Sequence, residues 1–271
     1  MKYSQNLHTH CTYCDGIDNM ESMVKKAIEL NFDTLGFSSH APMQFETDYA
    51  MRTEKVSDYC KEIENLKNRY KEKINILCGL ELDYFAKKID VDFDYLIGSV
   101  HVLKIGDEYY DVDESLENAE MVINNKFDGD STEYARAYYE LLVKLPDIFK
   151  FDFVGHFDLI TKYNDIKPIV DTDSKKYKDI ALDALHAVNK KVDLFEINSG
   201  AISRGYKKSP YPDVFILKEL NRIGGKVILT SDCHNKDFLD CGYETGIELL
   251  KGCGFSEVYT IGKNGFEGNI I

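Results

Sequence analysis

The stretch NLHTHCTYCDGIDNMESMVKKAIELNFDTLGFSSH, residues 6–40, contains a short apolar strand, an amphipathic helix and a second strand in succession. Asp18 and Glu21 have the spacing of a capping box, which predicts that the helix starts at Asp18. Two strands joined by one helix predict a βαβ unit with parallel strands. The apolar residues of the helix recur at the spacing of one helix face, namely Met20, Met23, Val24, Ala27 and Ile28.

The same alternation of strand and helix continues along the rest of the chain. After the strands at residues 6–8 and 34–38, further strands are predicted at 74–82, 95–100, 153–156, 194–198, 227–230 and 257–261. Further helices are predicted at residues 54–71, 132–145, 174–190 and 211–222. Seven or eight such repeats in 271 residues favour an α/β barrel over an open sheet. Because no linker rich in Pro, Gly or Ser divides the sequence, residues 1–271 are predicted to form a single domain.

One stretch interrupts this regular pattern. Residues 104–129 are polar and acidic, and we expect a long loop that carries a short helix. Long loops in compact domains are often lids or substrate-facing insertions, although an acidic loop is more commonly just solvated. The carboxylates that could meet a cationic group there are those of Asp107, Glu108, Asp111, Asp113 and Glu114.

Composition and charge exclude several classes of protein. The chain has 33 Lys and Arg against 47 Asp and Glu, a formal net charge of −14. Because duplex nucleic acid requires a basic surface, we expect no nucleic-acid partner. A small phosphorylated ligand remains compatible, since bound metal ions can reverse the local charge. Seven cysteines without framework spacing, the lack of an apolar run of about 18–20 residues and the polar N-terminus predict reduced thiols, no membrane partner and a cytoplasmic location.

Histidines and carboxylates collect at the ends of the predicted strands. They are His8, His10, His40, His101, His156 and His234 with Glu81 and Asp232, and Asp15 lies in the loop after the first strand. All strands of a parallel barrel end on one face, where functional groups collect. Neutral imidazoles together with carboxylates are the ligands of a borderline divalent metal. The nine residues are therefore predicted to form a metal site at this face.

Each of these features has a simpler interpretation when it is taken alone. A single histidine is usually a partly buried, hydrogen-bonded residue, and a pair such as His8 and His10 also occurs on loops. Glu81 stands inside the apolar strand, where a charge is costly unless it is paired or bound to metal. Independent accidents would not all fall on the same face of a barrel, so the joint pattern favours the metal site.

Two further features could carry chemistry. Cys11 and Cys14 form a CxxC sequence directly after His10, which could be a structural zinc site or a redox pair. The sequence has no second CxxC, and this one does not begin a thioredoxin-like helix, so apolar packing is the favoured interpretation. His186 lies in the middle of a helix and is predicted to be a surface or packing residue.

On these residues the sequence resembles the PHP (polymerase and histidinol phosphatase) superfamily of metal-dependent phosphoesterases over essentially its whole length. The matching motifs are His8-Thr9-His10 with Asp15, Ser38-Ser39-His40-Ala41-Pro42, Gly79-Leu80-Glu81, Gly98-Ser99-Val100-His101, Gly155-His156-Phe157-Asp158 and Ser231-Asp232-Cys233-His234. Residues 39–42, 158–163 and 196–200, with Arg204 and Tyr211-Pro212, resemble the histidinol-phosphate phosphatase branch. The resemblance implies a distorted, TIM-like (β/α)7 barrel.

The resemblance also implies a cluster of three divalent ions, Zn, Fe or Mn, held by nine ligands. One ion would be bound by His8, His10, Glu81 and Asp232, a second by Glu81, His101 and His156, and a third by Asp15, His40 and His234. Glu81 and Asp232 would position a bridging hydroxide that attacks phosphorus. Arg204 would clamp the phosphate, with Lys162 in place of a second basic residue of the family. The general acid stays open between a metal-bound water and Asp158.

The activity that the resemblance implies is the hydrolysis of L-histidinol phosphate to L-histidinol and phosphate, a step of histidine biosynthesis. A second possibility keeps this chemistry but changes the substrate to another small phosphate ester, a nucleotide or phosphotyrosine. A third, from a different class, is a non-catalytic metal-binding module, which the complete set of ligands disfavours. The metal and the oligomeric state are left open by the sequence.

Overall fold

In the computed structural model, which describes residues 3–271, eleven strands and eight α-helices follow one another along the chain. The strands are β1 (Gln5–Asn6), β2 (Thr34–Phe37), β3 (Asn75–Asp83), β4 (Tyr95–Ser99), β5 (Val102–Ile105), β6 (Glu108–Asp111), β7 (Phe153–Val154), β8 (Leu194–Asn198), β9 (Lys226–Thr230), β10 (Glu257–Gly262) and β11 (Gly265–Ile270). The helices are α1 (Met20–Glu29), α2 (Val56–Tyr70), α3 (Leu116–Lys126), α4 (Ser131–Ile148), α5 (Lys175–Asn189), α6 (Gly200–Ser203), α7 (Val214–Arg222) and α8 (Tyr243–Gly252).

Nine strands form one curled sheet in the order β1-β2-β3-β4-β7-β8-β9-β10-β11. The first seven of these run parallel, as expected for strands joined by helices. Past the ends of β9 and β1, the chain closes the curve through a parallel bridge between Cys233 and Thr9. Its hydrogen bond joins the His10 N–H to the Cys233 carbonyl at 2.9 Å. The predicted α/β barrel is therefore confirmed.

The barrel is distorted at the end away from this bridge. There β10 lies beside β9, and β11 pairs with β10 in antiparallel fashion and continues the sheet. The N-terminal segment binds β10 through two side chains. The Tyr3 hydroxyl donates to the Tyr259 carbonyl at 3.2 Å, and the Gln5 side chain accepts from the Ile261 N–H at 3.0 Å. At this end β10 thus lies beside the N-terminal segment, while the described strands β9 and β1 form no backbone ladder with each other.

The barrel interior is filled by a small apolar cluster, and a larger one lies between the sheet and the helices. Tyr95 stands at the centre of the small cluster and donates to the Leu7 carbonyl at 2.6 Å. Gly36 in β2 and Gly79 in β3 make room for its ring, since a Cβ at either position would collide with it. No helix within residues 3–271 is long and apolar enough to cross a membrane.

The predicted strands agree with the observed ones to within two residues at each end, and the predicted helices to within three. The predicted cap of the first helix is wrong. Asn19, not Asp18, caps α1 by accepting from the Ser22 N–H at 2.9 Å. Asp18 instead accepts from the Lys236 N–H at 2.9 Å and so fastens α1 to the segment after β9.

The loop predicted at residues 104–129 is more ordered than expected. It contains most of a two-stranded antiparallel hairpin, β5 and β6, followed by α3. The hairpin turns at Gly106, whose φ of 63° lies in the left-handed region that favours glycine. Phe45, from the segment after β2, stacks on Tyr109 of the hairpin with ring centroids 3.9 Å apart. This contact holds the hairpin beside the carboxyl ends of the strands.

Candidate metal centre

The nine strand-end residues lie together at the carboxyl end of the barrel. His8 and His10 follow β1, His40 follows β2, Glu81 belongs to β3, His101 follows β4, His156 follows β7, and Asp232 and His234 follow β9. Asp15 reaches the same place from the loop after β1. Asp232 has a φ of 45°, a left-handed conformation that aspartate tolerates better than most residues. The parallel topology thus gathers side chains that are up to 226 residues apart.

Glu81 occupies the centre of the cluster and is 1% exposed. Its Oε1 lies 3.3 Å from His101 Nε2 and 2.9 Å from His156 Nε2, and it accepts from the Ser99 hydroxyl at 2.8 Å. Its Oε2 lies 3.3 Å from His8 Nε2, 3.6 Å from His10 Nε2 and 2.9 Å from His40 Nδ1. The two carboxylate oxygens therefore face two different groups of imidazoles.

Two further carboxylates flank this centre on opposite sides. Asp232 Oδ1 lies 3.2 Å from His10 Nε2 and 3.7 Å from His8 Nε2. Asp15 lies 3.1 Å from His234 Nε2 and 3.8 Å from His40 Nε2. His10 therefore lies between the two carboxylates, because its Nδ1 is also 3.8 Å from Asp15.

Four overlapping groups in the described part of the chain have ligand atoms close enough to hold one metal ion. They are His10, Asp15, His40 and His234; His8, Glu81 and His156; His8, His10 and Asp232; and His40, Glu81 and His101. All nine predicted ligands occur in these groups. Relative to the sets implied by the family, His10 also joins the group around Asp15. His101 and His156, implied as ligands of one ion, fall in separate groups, with His40 and with His8 respectively.

The donor atoms fit a cation. His8 Nε2, His10 Nε2 and Glu81 Oε2 are buried and have no hydrogen-bond partner among residues 3–271. Buried polar atoms are almost always paired, so such a group of orphaned lone pairs indicates a missing partner. Imidazole nitrogens mixed with carboxylate oxygens are ligands for borderline divalent ions such as zinc.

The electrostatics of the cluster favour the ligand forms of His10 and of the carboxylates. For His8, His40 and His101 the neighbouring carboxylates outweigh burial and raise the pKa, so a metal ion would displace protons from these imidazoles. Burial, together with His234 and His40, lowers the pKa of His10 to about 3, which keeps this imidazole neutral. Burial alone would raise the pKa of Glu81, but the surrounding imidazoles hold it well below its usual range. The pKa of Asp232 is likewise low, since Arg204 and His8 outweigh the effect of burial. Neutral imidazoles and ionised carboxylates are the forms that bind metal.

Two buried carboxylates support the cluster and were not predicted as site residues. Glu196 in β8 is fully buried and bonds to His8 Nδ1 at 2.5 Å. Asp83 in β3 accepts from the His101 N–H at 2.7 Å. The signal that singled out Glu81, a charge inside an apolar strand, also holds for Glu196 in the strand LFEIN.

Above the cluster opens a cavity of about 840 Å³. Six of the nine residues face it, and its outer wall carries Phe45, Glu46, Asp48, Tyr49, Tyr109, Asp111, Asp113 and Glu114. Of the five acidic residues predicted to face a ligand, Asp111, Asp113 and Glu114 thus line the cavity. Glu108 instead pairs with Lys126 at 3.0 Å, and Asp107 is not among the described residues that line it.

The two basic residues predicted to bind phosphate also line this cavity. Arg204 donates through Nη2 to Asp232 Oδ2 at 3.2 Å and contacts His234 Nδ1 through Nη1 at 2.9 Å. Lys162 is 7% exposed and donates to the carbonyl and the carboxylate of Asp113 at 2.7 and 2.9 Å. Burial alone would raise the pKa of Asp113, but Lys162 lowers it to about 2. Both cations are thus held beside the metal centre by aspartates.

The remaining candidates are not among the residues that line the cavity. Burial raises the pKa of the Cys11 thiol to about 11, and the Cys14 thiol touches His10 Nδ1 at 3.5 Å. Asp158 is fully buried, accepts from the Asp213 N–H at 3.0 Å and is absent from the described residues that line the cavity. His186 pairs with Glu219 on the helical surface.

Fold and site together define a class: barrel proteins that gather imidazole and carboxylate ligands for divalent metal ions at the carboxyl ends of parallel strands. The family model described as the PHP domain matches residues 6–200. The chain therefore belongs to the PHP domain family.

Known proteins similar to the chain are histidinol phosphatases. The histidinol-phosphatase of Lactococcus lactis subsp. lactis is 27% identical over 96% of this chain and 94% of that protein. The histidinol-phosphatase of Bacillus subtilis is 24% identical over 89% of this chain and 97% of that protein. A crystal structure of histidinol phosphate phosphatase from Lactococcus lactis, complexed with zinc, L-histidinol and phosphate, superposes with a TM-score of 0.75. That superposition covers 97% of this chain and 98% of the other, at 22% identity.

Proposed function

We propose that this protein hydrolyses L-histidinol phosphate to L-histidinol and inorganic phosphate at a cluster of three divalent metal ions. The observation that carries the proposal is the position of Glu81, whose two oxygens face two groups of imidazoles. Three of these imidazoles, those of His40, His101 and His156, line an open cavity. The names of the similar proteins, all of which cover nearly the whole chain, supply the substrate.

Each of the three ions would be held by its own ligands. His8, His10, Glu81 and Asp232 would bind the first ion, Glu81, His101 and His156 the second, and Asp15, His40 and His234 the third. When bound, such ions acidify water towards a nucleophile at neutral pH and neutralise the charge of a phosphate group. Three divalent ions and three carboxylates leave about three positive charges at the site, which suits a phosphate dianion despite the net charge of −14.

Glu81 and Asp232 would position the oxygen that attacks phosphorus. Both carboxylates are nearly inaccessible to solvent and are fixed by neighbours, Glu81 by Ser99 and Asp232 by Arg204. A carboxylate that is held in this way keeps its oxygens at constant positions, so the attacking oxygen meets phosphorus from one direction.

Arg204 would hold the phosphate through its planar fork, which matches two phosphate oxygens. Arg204 lines the cavity, and its Nε is buried without a hydrogen-bond partner among residues 3–271. Lys162 would add a single positive charge, because an ammonium gives no fork. Charge-assisted hydrogen bonds of this kind strengthen as negative charge spreads over the phosphoryl oxygens.

The wall of the cavity suits the leaving group. L-Histidinol carries an amine cation and an imidazole, and the wall offers the carboxylates of Asp111 and Glu114 beside the stacked rings of Phe45 and Tyr109. Burial raises the pKa of Asp111 to about 6, so a cationic group that restores its charge would gain from binding there. A nucleotide, which lacks an aliphatic amine, would find no corresponding partner in this part of the cavity.

Phosphate release from metal-loaded protein tests the proposal. L-Histidinol phosphate, nucleoside monophosphates and O-phosphotyrosine are compared, and the Glu81→Gln protein serves as the control for background hydrolysis. We expect the highest kcat/KM for L-histidinol phosphate. Faster turnover of a nucleotide or of phosphotyrosine would assign a different phosphoesterase activity. No release from any ester by fully loaded protein would instead indicate a metal-binding module.

We also propose a domain organisation and a class of partner for the whole chain. Residues 1–271 form one PHP-type barrel domain, and its partner is a small phosphate monoester rather than nucleic acid or a membrane. Supporting this, the sheet and its closing bridge involve residues from both ends of the chain. The reduced thiols expected from the cysteine spacing agree with a cytoplasmic enzyme.

A further inference from the structure

Glu196 is a buried carboxylate beside the metal cluster, and all of its acceptor positions are hydrogen-bonded. It is fully buried, and its carboxylate receives four hydrogen bonds. His8 Nδ1 and the Thr230 hydroxyl bond to Oε1 at 2.5 and 2.6 Å, while the His156 N–H and the Asn198 amide bond to Oε2 at 2.7 and 2.8 Å. Four is about the number of hydrogen bonds that an ionised carboxylate can accept, so all its positions are used.

The charge of Glu196 has no lysine or arginine beside it. Within residues 3–271 its only ion-pairing partner is His8. A buried carboxylate is costly unless its charge is compensated. Its compensation must therefore come through the imidazole, whose other nitrogen faces the metal centre.

The contact with Glu196 sets the tautomer of His8. Oε1 already accepts from the Thr230 hydroxyl and is an acceptor, so the proton between Glu196 and His8 resides on Nδ1. In the neutral ring the lone pair of Nε2 is then free, and this atom is buried without a hydrogen-bond partner in the described part of the chain, 3.3 Å from Glu81 Oε2. An imidazole that donates to a carboxylate is also a stronger metal ligand.

The second oxygen of Glu196 connects two further strand ends. It binds the backbone of His156 directly. It also binds Asn198, whose amide nitrogen donates to Asp232 Oδ2 at 3.3 Å and whose amide oxygen accepts from the Gly200 N–H at 2.8 Å. One carboxylate in β8 therefore links groups that follow β1, β7 and β9.

We propose that Glu196 is a positioning residue of the metal centre, which fixes His8 for coordination through Nε2 and holds His156 and Asp232 in register with it. The inference rests on the metal site of the proposed function, but not on the identity of the substrate. It concerns a strand that supplies no metal ligand itself.

The variant Glu196→Gln tests this proposal because it keeps the shape of the side chain and removes its charge. Its amide NH₂ must face donors on either side, either His8 and Thr230 or His156 and Asn198. We expect zinc affinity, measured by competition with a chromophoric chelator, to fall about 10- to 100-fold. Thr230→Val removes one of the four bonds and keeps the charge, so its loss should be smaller. Asp152→Asn, which alters a carboxylate that binds the Leu96 N–H away from the site, should bind zinc as the wild type does.

A wild-type zinc affinity and stoichiometry in folded Glu196→Gln protein would overturn the proposal. Should this variant fail to fold, ¹⁵N NMR of the zinc-loaded wild-type protein decides instead. We expect the His8 ring to carry its proton on Nδ1 and to bind zinc through Nε2, and the opposite assignment would contradict the proposal. Zinc affinity and the NMR assignment do not depend on phosphate release. Both can therefore be interpreted even if the proposed activity is not found.

Discussion

Glu81 is the residue on which the metal centre depends most, since imidazoles from four strand ends lie within 3.6 Å of its carboxylate. Glu81→Gln removes one negative charge and places an amide NH₂ among nitrogen ligands. We expect the metal content to fall and the rate of phosphate release to drop by a large factor, while the free energy of unfolding changes comparatively little. Metal analysis, activity and urea unfolding of the same preparation measure the three effects.

The control for this prediction is Glu219→Gln, because Glu219 also pairs with a histidine, His186, but on the helical surface. It should retain full metal content and activity. If Glu81→Gln turned over at nearly the wild-type rate with its full complement of metal, Glu81 would not be the shared ligand.

Arg204 is expected to act on the phosphate rather than on the metals. Arg204→Ala should lower kcat/KM by about 10²-fold, equivalent to about 2.7 kcal/mol of transition-state stabilisation, because the phosphoryl charge loses its bidentate partner. Metal content should stay unchanged, because Asp232 keeps its bond from the Asn198 amide when it loses the bonds that Arg204 donates to its carboxylate and its carbonyl. Arg222→Ala, which removes an exposed arginine paired with Glu219, is the matched control. Metal loss in Arg204→Ala, or an unaltered kcat/KM, would contradict the clamp.

For single residues, the sequence predicted which side chains lie at the strand ends better than it predicted their hydrogen-bond partners. His8 and Glu81 could be found because a charged or ligating residue at the end of an apolar strand is costly there unless it is paired or bound to metal. Glu196 has the same signal, but no spacing pattern reveals that its partner is an imidazole 188 residues away. Hydrogen-bond partners across a barrel depend on the stagger of its strands, which one sequence does not encode in a readable form.

Among the elements, α1 shows how local signals compete. Asp18 and Glu21 fit the capping-box spacing, yet Asn19 is the cap and Asp18 serves a tertiary contact with the Lys236 N–H. Both residues can cap a helix, so propensity alone could not separate them. The hairpin of β5 and β6 had a readable signal, because Gly106-Asp107 between two short runs is a typical two-residue turn. The acidic composition around it instead suggested an irregular loop.

The cap of α1 gives a prediction at the scale of the element. Asn19→Ala leaves the Ser22 N–H without its acceptor, so the free energy of unfolding should fall by about 1 kcal/mol. Asn19→Ser keeps an acceptor at the same position and should remain close to the wild type. Urea unfolding of metal-free protein measures both variants. Equal stability of Asn19→Ala and the wild type would show that this bond contributes nothing to the fold.

The whole molecule shows why function was easier to predict than detail. Parallel strands in sequence order bring every carboxyl strand end to one face, so any ligand set at those positions must converge. The grouping of the nine candidate ligands could not be predicted from the residues alone. It depends on the closure between Thr9 and Cys233, which brings the residues after β9 against those after β1. The position of the long segment between β4 and β7 does not follow from the strand order. It depends on aromatic contacts such as that between Tyr109 and Phe45.

Metal binding should stabilise the whole barrel, because the ligands come from six of its seven parallel strands and from the loop after β1. An ion that binds only the folded state at 100 times its Kd adds about 2.7 kcal/mol to the free energy of unfolding, less whatever unfolded His and Cys residues bind. Zinc added to metal-free protein should therefore raise the Tm, and a chelator should reverse the increase. Glu81→Gln should lose most of this shift. His186→Ala, which alters the one histidine outside the cluster, should keep it in full. A Tm that zinc leaves unchanged in the wild type would mean that the strand ends hold no ion, whatever their geometry.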